Sequence, residues 1–397
     1  MTPPSVRAPA DPVTLLFRGL TAAVAGVLVV LAVSVAQALL ATQPLAIDFL
    51  PLWTAGRFAA HDPARIYDFQ ALTDAQSWLL GPIRSLRPFA YPPSALLVLA
   101  PLSVLPFWWA YAVWMTGTAI AFMTAALAVT PQRPWLAGLL ILAPPATVLV
   151  FVAGQSSFLI GALGLGALAM LDRRPWLAGV LLGLAAAFKP TLLVMAPLAL
   201  IAGGSWKALA SAALAGVALV AASAVCFGIE PWLAWLAALP RFQVQTLHDT
   251  GVLKGVVTPA SVAIQLGLDG AMAMALRGLF AVLAIAAVAV TFNRTRDLTL
   301  RIVALFGSAF PITPYAMGYD TSLLLPAAVA SLLAAGGLRG RIAGMAGYLA
   351  AVSAGFPHIG AWGLVIFLAI ALGPAALRWI APPRRPITLP DLGEGLI

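Results

Sequence analysis

The chain has 397 residues, 62% of them hydrophobic and only 9% charged. A soluble domain carries roughly 25% charged residues, so this composition excludes a water-facing surface all round and fits a lipid-facing one. The net charge of +9 comes without basic runs interleaved with exposed aromatics, which sets nucleic acid aside. It leaves a cytoplasmic excess of Lys and Arg, or an anionic ligand, as the cause.

Taken in chain order, residues 1–19 read as a cytoplasmic tail and 20–41 as a first span, too long and uninterrupted for a signal peptide. A hydrophilic segment, 42–90, follows. The stretch 91–106 is short and Pro-rich and reads as a half-helix continuous with a span at 107–130. Further spans are expected at 135–152, 155–171, 206–228, 270–292, 299–316, 319–336, 342–356 and 359–380, with a second hydrophilic segment at 229–269 and a tail at 381–397. Trp232 and Trp235 give the second segment an amphipathic pattern suited to a helix at the membrane interface. The stretch 176–203 is broken by Lys189-Pro190 and reads either as one span or as a hairpin. A single pass would put Arg173 and Arg174 outside, against the positive-inside rule, so the hairpin is preferred. The expected fold is all-α, a single polytopic transmembrane bundle over 20–380 with about 12 spans and both termini cytoplasmic. The last residues, ITLPDLGEGLI, are similar to the opening of a lipoyl-carrier domain; no lipoyl-lysine follows, and they read as a tail without function.

The chain has 13 acidic residues, few enough to weigh individually. Asp11, Asp172, Asp297, Asp391 and Glu394 read as solvated loop or tail residues, and Asp62, Asp68, Asp74 and Glu230 as helix-start residues. Asp48 differs: it follows the first span in LAIDFLPLWTAG, and a carboxylate among apolar neighbours at a membrane boundary is costly unless it has work to do. Asp320, in PITPYAMGYDTSLLLP, reads equally as a helix cap or a site residue, and the His248-Asp249 pair is a weaker candidate. Lys189, in GLAAAFKPTLLVMAPL, needs an anion or a water-filled cavity, or else it snorkels. Cys226 lies alone in an apolar stretch and rules out an intramolecular disulfide. His61, His248 and His358 show no metal-ligand spacing, and no phosphate-cradling Gly-rich loop or nucleophile elbow is present, so neither metal nor cofactor is expected. GALGLGALAM at 161–170 reads as closely packed membrane helix.

The pattern DFLPLWTAGRFAAHDPARIYD at 48–68, then YPPSALLVLAPLSVLP at 91–106, resembles the multispanning glycosyltransferases of family 87, of the GT-C fold. GQSSFLIGAL from 154, GVLLGLAAAFKPTLLVMAPLAL at 179–200 and PITPYAMGYDTSLLLPA at 311–327 agree in order and spacing. The resemblance implies transfer of a sugar, typically mannose, from a polyprenyl-phosphate donor to a glycan, lipid or protein acceptor. The reaction would take place on the non-cytoplasmic face of the cell's inner membrane. It implies Asp48 as general base, and Tyr91 and Lys189 near the donor phosphate; Arg57, Gln155, His248 and Asp320 are further substrate-binding candidates. Arg65, Arg84, Arg87, Arg241 and Lys254 are other cations on the same side. No DxD motif stands near Asp48, which suits a monophosphate leaving group held by Lys and Arg rather than by a metal. The rival reading, a transporter or flippase, predicts internal repeats and midplane charges, and no convincing repeat is found.

Overall fold

The structure is a computed structural model that describes residues 26–41 (except 28 and 31), 44–81, 87–131, 133–248, 255–313, 316–334 and 338–353. The tails, the expected span at 359–380, Arg84, Asp249, Lys254 and His358 lie outside the described residues.

Helices account for most of the described chain. In order they are α1 (Ala32–Ala41), α2 (Leu50–His61), α3 (Phe69–Leu80), α4 (Leu96–Leu102), α5 (Phe107–Val129), α6 (Pro134–Leu142), α7 (Pro145–Ala153), α8 (Ser157–Met170) and α9 (Pro175–Phe188). After them come α10 (Ala196–Ala202), α11 (Trp206–Phe227), α12 (Glu230–His248), α13 (Pro259–Gln265), α14 (Gly270–Arg294), α15 (Leu298–Gly307), α16 (Ala309–Ile312), α17 (Leu325–Leu333) and α18 (Leu338–Ser353). Among the described residues the only β pairing is an isolated bridge between Val256 and Met317.

Proline sets many of the starts. It occupies the first turn of α2, α6, α7, α9, α10, α13 and α17, where its missing N–H costs nothing. Several expected spans are therefore interrupted. Residues 91–106 form a separate short helix, α4, that ends before Pro106 rather than running into α5. The expected span at 135–152 is two helices bent by 66° at Ala143-Pro144. The expected span at 319–336 begins as a 3-10 turn, Gly318–Leu324, before α17. Among the described residues, three helices are long and apolar enough to cross a bilayer, namely α5, α11 and α14, or four if the bent α6–α7 pair is one span. The other apolar helices are 10–17 residues long, shorter than the roughly 20 residues a bilayer needs.

The path at 176–203 is fixed by two glycines. A Cβ on Gly179 would strike Ala208 O and Ser211, and one on Gly183 would strike Ala212 O and Ala215, so α9 and α11 touch backbone to backbone in parallel register. Two parallel helices require the chain between them to return. Residues 189–205 therefore double back from Lys189, through a 3-10 turn at Pro190–Leu193 and then α10. The 14 residues of α9 rise only about 21 Å, less than the thickness of a bilayer's apolar core. Gly161 and Gly164 likewise give close packing, against Phe122, Leu323 and Phe306.

One core runs from the turn before α2 through α5, α7, α8 and α15 to α17. Outside it, α5, α11 and α14 present bare apolar faces, including Val113, Ile120, Leu214, Val217, Leu279 and Val282. Such contiguous exposure marks a lipid-facing surface. The two hydrophilic segments fold as α2–α3 and as α12–α13 and lie against the bundle. Trp53 Nε1 donates to Leu105 O (3.0 Å), and Trp235 Nε1 joins the second segment to the first through Ala90 O (3.3 Å).

Candidate active site

Asp48 is held by a turn built for it. Residues 45–49 form a tight turn in which Ala46 takes a positive φ of 63°, a conformation that costs about 1–2 kcal/mol for a residue with a Cβ. The turn is pinned to the end of α7: Ala46 N donates to Val152 O and Asp48 N to Ala153 O, both at 2.8 Å. Gly154 closes α7 with φ +80°, and a Cβ there would lie 2.5 Å from that of Phe49. Only glycine fits, both in conformation and in space. The next residue, Gln155, is thereby aimed at Asp48, and its Nε2 donates to Asp48 Oδ2 at 2.8 Å. Arg87 Nη1 donates to Asp48 Oδ1, also at 2.8 Å.

Tyr91 ties the neighbouring elements together. Its hydroxyl lies 2.9 Å from Ser156 Oγ and 3.3 Å from Gln155 Oε1, and its ring packs between Phe89 and Phe188. Tyr67 donates to Tyr91 O at 2.7 Å. Burial pushes the Tyr67 phenol well above its ordinary value, so it stays protonated and remains a donor.

Lys189 caps the C-terminus of α9, where a cation suits the helix dipole. Its Nζ contacts Asp320 Oδ1 at 3.1 Å and lies over the Tyr319 ring, 5.5 Å from the centroid. Asp320 does not cap a helix: it sits inside the 3-10 turn 318–324, 2% exposed, and also accepts from Ser157 Oγ at 2.7 Å. A short pairing, Val257 N to Ala316 O (2.8 Å) and Gly318 N to Gly255 O (2.9 Å), fastens this turn to the second hydrophilic segment.

Asp48, Arg87, Tyr91, Gln155, Lys189 and Asp320 line one cavity of about 220 Å³, walled also by Phe188, Trp235, Leu239 and Tyr319. Of the residues expected from sequence, the structure brings Asp48, Tyr91, Gln155, Lys189 and Asp320 together here. Arg57 is elsewhere, exposed on α2 with its guanidinium 5.7 Å from the Trp53 ring centroid. His248 ends α12, and its side chain lies outside the described residues. Sequence reasoning left Arg87 and Ser157 undistinguished, and read Trp235 as an interfacial residue rather than as a wall of this cavity. Arg87 was one cation among several, and only its 39-residue contact with Asp48 separates it from them. The remaining acids fall in ordinary roles: Asp68, Asp269 and Asp297 cap α3, α14 and α15, and Asp172 pairs with Arg301 at 3.3 Å. Among the described residues no cluster of His, Cys, Asp and Glu can hold a metal.

Beside the polar cavity runs a larger groove of about 460 Å³, lined by α9, α10, α11 and α12 and apolar except for Ser94. The two share Pro92, Pro190 and Trp235 as walls. A charged chamber thus lies directly beside an apolar trough, with three residues common to both linings.

The family model of glycosyltransferase family 87 matches residues 89–314, more than half of the chain, and spans Tyr91, Gln155 and Lys189. No curated protein and no solved structure matches.

Proposed function

The chain belongs to glycosyltransferase family 87, and on that premise we propose that it moves a sugar, mannose in the first instance, from a polyprenyl-phosphate donor to an acceptor hydroxyl. The observation that carries this is the shared wall between polar cavity and apolar groove. A lipid-linked sugar has the matching division: an isoprenoid tail, a phosphate at the junction and a polar sugar. The roles follow from position. Asp48 is the general base, Lys189 and Arg87 attract the phosphate, and Gln155 and Tyr91 fix the carboxylate's orientation. Asp320 holds Lys189 in place through a contact of 3.1 Å.

In this reading the acceptor oxygen forms a bond to the anomeric carbon as the bond from that carbon to the phosphate oxygen breaks. The acceptor's proton passes to Asp48, and the leaving group departs as a polyprenyl monophosphate. Charge grows on the phosphate as it leaves, so fixed cations nearby stabilise the transition state more than the ground state. The bundle of about twelve crossings, the placement of the site on the non-cytoplasmic face and the single transmembrane domain over 20–380 belong to the same proposal. The apolar exterior of α5, α11 and α14 and the doubling back at Lys189 support it.

The test is Asp48→Asn, which keeps the shape and one hydrogen-bond acceptor but cannot take the proton. Turnover of a polyprenyl-phosphate-mannose donor should fall roughly 10²–10⁴-fold, the usual worth of a general base, in protein that still inserts and melts normally. Near-wild-type transfer would remove Asp48 from the chemistry.

A further inference from the structure

Both oxygens of Asp48 are occupied in this structure, by Arg87 on one side and Gln155 on the other, each at 2.8 Å. A base in that state has one of its oxygens covered by a cation, and an acceptor hydroxyl must compete with a guanidinium to reach it. The two partners differ in how firmly they are held. Gln155 is 7% exposed and gripped through Tyr91, on a backbone turn that only Gly154 permits. The side chain of Arg87 is 26% exposed, and its Nε, although buried, has no hydrogen-bond partner among the described residues. Its main chain is anchored: the carbonyl of Arg87 accepts from Gln76 Nε2 at 2.9 Å, and Gln76 is itself fully buried. The arginine thus has an anchored main chain and a partly exposed head with one unpartnered N–H, and it lines the same cavity as Lys189.

We propose that Arg87 is a latch on Asp48 that the donor's phosphate releases, so that the base is uncovered only once donor is bound. This rests on the reading of Asp48 as base. The charges in the cavity are balanced pairwise, Arg87 with Asp48 and Lys189 with Asp320. An incoming phosphate anion competes with the two carboxylates for these cations. Asp320 is the more deeply buried acid, 3% exposed at the side chain against 16% for Asp48, and loses more by losing its partner. Arg87 is the one that moves. Its planar fork matches a phosphate with two parallel hydrogen bonds, and the orphaned Nε finds a partner there. Asp48 then keeps Oδ2 on Gln155 and offers Oδ1 to the acceptor. Sugar transfer becomes ordered, donor before acceptor.

Binding of a polyprenyl monophosphate to the purified full-length chain in detergent, followed by the fluorescence of Trp235 and its neighbours, tests the latch without using turnover. Asp48→Asn should tighten binding about 10-fold, since it frees a cation worth one charge-assisted hydrogen bond. Arg87→Met should weaken binding by a similar factor, and the double variant should behave like Arg87→Met alone. Arg87→Gln serves in place of Met if the Met variant does not melt cooperatively. If Asp48 only repels the phosphate, Asp48→Asn will tighten binding equally with and without Arg87, and the latch is refuted. Unchanged binding in Asp48→Asn refutes it too. A failure of the base reading would instead appear as retained transfer by Asp48→Asn, a separate measurement.

Discussion

Asp320 carries a carboxylate that is 2% exposed, with Ser157 and Lys189 as hydrogen-bond partners. Removing one partner of a buried ion pair leaves the other charge uncompensated, which costs more than the pair is worth. Lys189→Met is therefore expected to lower stability by about 3 kcal/mol as well as donor-dependent turnover. A lysine that only snorkelled to water would give the opposite sign, since methionine removes a charge from an apolar setting. Combining Lys189→Met with Asp320→Asn removes both charges and keeps a partner for Ser157. Thermal melting should recover in the double variant while turnover stays low, which separates the structural share of Lys189 from its share in phosphate binding. Recovery of turnover along with stability would leave Lys189 only its structural role.

Among the elements, the turn between α7 and α8 decides where Asp48 and Gln155 meet. Gly154→Ala puts a Cβ 2.5 Å from that of Phe49, at a φ of +80°. Strain of this kind costs about 1–3 kcal/mol, and relief requires the Asp48 turn to move away from α7. The expected result is a lower melting temperature together with a turnover loss larger than the stability loss explains; wild-type kinetics in this variant would show that the turn does not set the site. Elements of this sort explain what was legible in the chain. Lys189-Pro190 announced a break inside an apolar run, and the structure places the doubling back there. Asp48 announced itself by its apolar neighbours. Arg87 did not, because one arginine in a hydrophilic segment looks like Arg57 or Arg65, and its meeting with Asp48 depends on how that segment folds over the bundle. The bends at Pro106 and Pro144 were also under-read: hydropathy averages across a proline, whereas the helix ends there.

At the scale of the whole molecule, a polar cavity and an apolar groove share wall residues within a bundle whose exterior is apolar. Gly216 lines the groove, and no atom lies within 4 Å of where its Cβ would stand, so a larger side chain can enter the trough without striking the bundle. Gly216→Phe should depress kcat/KM for a long-chain polyprenyl-phosphate donor by about 10-fold, the worth of one or two buried methylenes lost from contact, while a donor with a very short prenyl chain is used as before. Equal loss with both donors would detach the groove from the lipid tail. Composition made the lipid-facing exterior legible, but the groove arises from how the consecutive helices α9–α12 pack around one another and beside Pro92 and Ser94, which composition does not reveal.

The most direct test of the central claim is transfer of labelled mannose from polyprenyl-phosphate-mannose in membranes containing the wild-type chain or Asp48→Asn at equal levels. The account predicts donor-dependent incorporation into an acceptor by the wild type and loss of at least roughly 10²-fold in the variant; incorporation that is equal in the two, or absent with this donor and present with a sugar nucleotide, would contradict it.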